Sequence, residues 1–99
     1  MNKELQQLDI VELGNLFDNI SADPERAAQN LFPEYPGGCR GITESIGEWA
    51  IHQKIAMECR NDGKGDVALV FAKHSERIWR RLPDYARRVR VKFEDQLRT

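Results

Sequence analysis

The apolar positions of this chain fall into helical periods, and the clearest lies in residues 66–82, DVALVFAKHSERIWRRL. Val67, Val70, Phe71, His74, Ile78 and Leu82 recur at spacings of three and four, which aligns side chains along one face of an α-helix. Ala68, Ala72 and Trp79 widen that stripe, while Lys73, Glu76, Arg77 and Arg80 fall opposite it. So broad an apolar face predicts a helix packed against two neighbours.

A second long period runs from Ser45 to about Arg60. Ile46, Trp49, Ala50, Ala56 and Met57 form one apolar face, and Ile51, Ile55 and Cys59 form another, nearly opposite. A helix apolar on two sides is either central in its own fold or shared with a partner chain. Ninety-nine residues are few with which to surround it, so the pattern predicts a homo-oligomer, most simply a dimer. Ser45-Ile46-Gly47-Glu48 fits a capping box at the start. Asn61-Asp62-Gly63-Lys64-Gly65 reads as the turn at its end, with Asp66 as the next cap. A turn this short makes the two segments an antiparallel hairpin.

The flanking segments are shorter. Residues Asp9–Ile20 gather Ile10, Leu13, Leu16, Phe17 and Ile20 on one side of a helix that Leu5 and Leu8 extend towards the N-terminus. Asp23-Pro24-Glu25 is a helix start: a capping carboxylate, a proline suited to the first turn, and an acid at the positive end of the dipole. That helix offers Ala28, Leu31 and Phe32 to the core before Pro33 stops it. Pro33–Gly41 holds two prolines and three glycines in nine residues and reads as a loop. Beyond Pro83 a helix to Leu97 places Tyr85, Ala86, Val89, Phe93 and Leu97 together. Residues 88–93 also alternate as a strand would, but no second strand is evident to pair with them, and helix is preferred. Val11, Leu69 and Val91 are left on polar faces. The expectation is a compact all-α bundle of four or five helices, one domain over residues 1–99, built on a central hairpin of residues 45–60 and 66–82.

Composition changes this picture little. With 40% hydrophobic and 31% charged residues the chain resembles an ordinary soluble globular domain. It has no apolar run of membrane-spanning length, its first residues are polar, and two cysteines are too few for a secreted disulfide framework. A cytoplasmic protein is expected.

Charge adds more. The net value is −1, yet residues 1–36 sum to −5 and residues 67–99 to +5. Arg77, Arg81, Arg87, Arg88, Arg90 and Lys92 are therefore candidate contacts for phosphates or an acidic partner, with arginine's planar fork suited to oxyanions. Pairs at i, i+4 (Glu76 with Arg80, Asp84 with Arg88, Arg90 with Glu94) compete with that reading.

Catalytic signals are weak. Gly63-Lys64-Gly65 lacks the spacing and hydroxyl residue of a phosphate-binding loop, and an EF-hand register from Asp62 ends on Lys73. Cys39, His52, Cys59 and His74 do not fall at zinc-ligand spacing, and His74 reads as a hydrogen-bonded core residue. Cys39 beside Arg40 has no recognisable base. No catalytic residue, metal or cofactor is expected. The predicted role is a non-catalytic adaptor or regulatory protein working by helix-mediated association through Ile51, Ile55, Leu69 and Trp79. Binding of nucleic acid by the C-terminal arginines is the alternative.

Overall fold

The computed structural model describes residues 2–35 and 39–92. In chain order these form β1 (Asn2–Glu4), a 3₁₀ turn (Leu5–Gln7), α1 (Ile10–Ala22), α2 (Pro24–Leu31), α3 (Arg40–Asn61), α4 (Gly65–Arg81), α5 (Asp84–Arg87) and β2 (Arg90–Lys92). The expected helical bundle is present, with five helices among the described residues and the α3–α4 hairpin at its centre.

α1 begins at Asp9, whose carboxylate accepts from the Glu12 amide (2.8 Å) while Glu12 accepts from the Asp9 amide (2.9 Å). This reciprocal capping box is a sequence signal the periodicity reading passed over. Leu13, Leu16 and Ile20 then face inward, as expected. Leu5 and Leu8 are buried too, but from the turn ahead of α1 rather than as an extension of it. α2 starts as predicted, with Asp23 capping Arg26 and Pro24 in the first turn. It buries Ala27 and Ala28, with Phe32 just past its end.

α3 starts five residues earlier than Ser45, with Cys39 as its cap residue. Gly41 does not break it, because the Cys39 carbonyl already accepts from Thr43 (2.8 Å). Ser45 is therefore inside the helix and its hydroxyl donates back to the Gly41 carbonyl (3.1 Å), so the expected Ser45–Glu48 box does not form. The other end is as predicted. Gly63 takes φ +76°, Gly63 N–H donates to Arg60 O and Lys64 N–H to Cys59 O, which satisfies the last carbonyls and reverses the chain. The cap of α4 is Lys64 rather than Asp66, which lies in the first turn instead.

α3 is the hub: α1, α2 and α4 all pack on it. Ile46 and Ala50 are fully enclosed and Trp49 nearly so. Full burial of an isoleucine-sized side chain contributes about 1.5–3 kcal/mol. α4 lies along α3, held by the Trp49 and Trp79 rings (centroids 5.0 Å apart) and by Ser75, whose hydroxyl donates to Gln53 Oε1 (2.9 Å).

The last segment corrects the sequence reading. Helix persists only through α5, and residues 90–92 are a strand, antiparallel to β1, with Lys3 opposite Val91 and Glu4 opposite Arg90. The missing partner was Asn2–Glu4. Val91 is accordingly buried, not left on a polar face. The predicted helix beyond Lys92, with Phe93, Glu94 and Leu97, lies outside the described residues. No helix among the described residues is long and apolar enough to cross a membrane.

Candidate interaction surface on the α3–α4 hairpin

The inward stripe of α4 is rotated from the one periodicity suggests. Ala68 and Ser75 are its buried residues, with Phe71, Ala72, Ile78 and Trp79 half-buried and Leu82 enclosed just beyond. Small side chains allow α4 to lie close on α3, where Ala56 is also buried. Val67, Val70 and His74, assigned to the core by the heptad-like pattern, are exposed instead. Val67 and Val70 are 44% and 53% accessible.

This rotation produces a surface. Among the described residues α4 packs along α3 and has only marginal contact with the other elements, so none of them covers the outer flank of the hairpin. α4 presents Val67, Val70, Phe71 and His74 there, one to two turns apart. α3 presents His52, Ile55 and Cys59, with Ile51 further round. The two helices are joined on this side by the His52 ring, whose centroid lies 6.0 Å from Phe71 and 5.6 Å from His74.

The predicted contact residues separate into two groups. Ile51 and Ile55 are half-buried; Ile55 belongs to this flank, and Ile51 lies about 100° round α3 from His52. Leu69 is 56% exposed but points about 200° round the helix from Phe71, on the opposite flank. Trp79 is packed against Trp49 and the core.

The basic residues divide in the same way. Arg77 and Arg81 share an open concavity of about 350 Å³ on α4 with Lys73, Glu76 and Arg80. Arg80 is paired with Glu76 (2.7 Å), as the spacing predicts. Arg87 is turned inward, paired with Asp84 at 3.0 Å, and its Nε is buried without a partner. Arg90 pairs across the ribbon with Glu4 (3.2 Å). Thus Asp84 takes Arg87 rather than Arg88, which is exposed, and Arg90 finds its acid at the far end of the chain. Lys92 is exposed beside it.

A separate cleft of about 380 Å³ lies between α1, α2 and β2, floored by Leu16, Ile20, Ala27 and Leu31. Among the described residues its lining includes Arg90 and Lys92 but no acid, histidine or cysteine. Cys39 and Cys59 are unbonded and stand at opposite ends of α3, about 30 Å apart by helical rise, too far to bridge. No group of three or more His, Cys, Asp or Glu side chains among the described residues is arranged to hold a metal. No family model, curated protein or solved structure matches the chain.

Proposed function

We propose that this chain is a small non-catalytic adaptor or regulatory protein that works by helix-mediated association in the cytoplasm. Its first partner is a second copy of itself. The observation that carries this reading is the outer flank of the hairpin, where Val67 and Val70 stand exposed beside the half-buried Phe71 and Ile55. Contiguous exposed apolar side chains on a small domain favour association, and two antiparallel hairpins related by a two-fold axis make a four-helix bundle. Sedimentation of the wild type over a concentration series should give a dimer. Val70→Glu and Ile55→Glu should give monomers of unchanged helicity. A wild type that stays monomeric at high concentration overturns self-association.

A second reading is supported by the α4 concavity. Lys73, Arg77 and Arg81 lie together there and have no ion-pair partner among the described residues. They suit a polyanion such as nucleic acid. That binding should weaken steeply with salt and be lost in Arg77→Glu/Arg81→Glu, whereas the apolar association should persist.

A further inference from the structure

His52 and His74 are twenty-two positions apart in sequence, on different helices, and their rings are neighbours on the outer flank of the hairpin, with centroids 5.6 Å apart and planes tilted 46° to one another. The His52 ring is also fixed in orientation. Its Nδ1 lies 2.7 Å from the Glu48 carbonyl oxygen. A carbonyl can only accept, so Nδ1 carries the proton and the lone pair of the neutral ring is on Nε2. Donation of one ring N–H to a backbone carbonyl is the arrangement by which proteins orient a metal-ligating imidazole. Phe71 supports the same ring from the side, at 6.0 Å between centroids. Two imidazoles sharing one ion at Zn–N distances of about 2.0–2.1 Å have ring centres roughly 5 Å apart, close to the separation found here.

We propose that His52 and His74 form a two-imidazole site for a divalent transition-metal ion of the copper, nickel or zinc type. Imidazole nitrogen suits these borderline ions and not the hard cations calcium and magnesium, which take oxygen ligands. The ion is held across the hairpin by one ligand from α3 and one from α4. Sequence spacing gives no sign of the site, because the two ligands meet only when α4 folds back on α3. The site is complete within one chain and does not depend on self-association, although both use the same flank.

The test is calorimetric titration of the full chain with Ni²⁺ and with Zn²⁺, using Mg²⁺ as the control. Measurements cover the wild type, His52→Ala, His74→Ala and the self-association variant Val70→Ser, with helicity checked by circular dichroism. The expected result is saturable binding of one ion per chain with no response to Mg²⁺. Each histidine variant should lose at least tenfold in affinity while remaining helical, and Val70→Ser, which offers no carboxylate beside His74, should bind as the wild type does. Wild-type affinity in either histidine variant overturns the site, because a shared ion needs both rings. Loss of binding in Val70→Ser also overturns it, since the ion would then be held between copies rather than within one. Failure of the dimer with metal binding intact would count against self-association alone.

Discussion

Ile20 Cγ2 lies 3.1 Å from the point a Cβ on Gly47 would occupy, so the Ile20 side chain of α1 rests directly on the α3 backbone there. Ile20 is enclosed and cannot retreat. Alanine at position 47 would gain about 1 kcal/mol of helix propensity and lose more by pushing α1 away. Gly47→Ala is therefore expected to destabilise by about 1 kcal/mol. Gly14 makes the opposite case. A Cβ there would come 2.9 Å from Lys54 Cε, the far end of a flexible side chain that can swing aside. Gly14→Ala should stabilise by up to about 1 kcal/mol. Denaturant midpoints for the two variants should move in opposite directions, and a shared direction would mean the α1–α3 contact is looser than described.

The β1–β2 ribbon is expected to be held by what lies behind it rather than by its ion pair. Leu5, fully enclosed just after β1, should cost about 3 kcal/mol when cut to alanine. Glu4→Ala removes the exposed pair with Arg90 and the Glu4 side of the capping box on the 3₁₀ turn, and should change stability by less than about 1 kcal/mol. Equilibrium unfolding distinguishes the two. A large effect of Glu4→Ala would make the ion pair the fastening.

Across the hairpin, Ser75 and Gln53 form a polar contact within an otherwise apolar seam. Ser75→Ala leaves the Gln53 amide short of a partner and should cost about 1 kcal/mol. Adding Gln53→Leu should recover most of that loss, because a pair of apolar groups needs no hydrogen bond. If the double variant is as unstable as the sum of the singles, the two side chains are not coupled.

Tyr85 gives the fold a response to alkali. Partial desolvation, with the Cys39 thiol and then Tyr35 beside it, pushes its phenol above the ordinary value of 10.0. The native state thus keeps this proton more tightly than the unfolded chain does. The associated stability is intact below pH 10.0 and is lost as pH rises through the higher native value. In Tyr85→Phe the decline in stability between pH 10.0 and that higher value should be shallower. Chemical denaturation across alkaline pH tests this, and identical profiles for the two proteins would refute it.

The hairpin was legible from the sequence because its signals are local. Apolar periods of 3.6 residues, a glycine turn and a short connection all act within a few residues of one another. Two features were not legible, each for a physical reason. Residues 88–92 alternate as a strand, but the three-residue partner that decides the matter sits at the opposite end of the chain. α4 was misread by rotation. Valines at 67 and 70 outrank Ala68 and Ser75 on any hydrophobicity scale, yet close helix approach favours the small residues, and the large ones were left outside. The candidate surface comes from that rotation. Its two histidines carry no helical spacing between them, so only the folded hairpin brings them together.

The ribbon also bears on the order in which the chain folds. Its Glu4–Arg90 contact closes a loop of 86 residues, while the α3–α4 hairpin turns on about five. Closing a long loop is slow and entropically costly until the intervening chain is compact. The hairpin is therefore expected to nucleate, α1 and α2 to collapse onto α3, and β1 to meet β2 last. The final event in folding is the joining of the two segments that were furthest apart when it began.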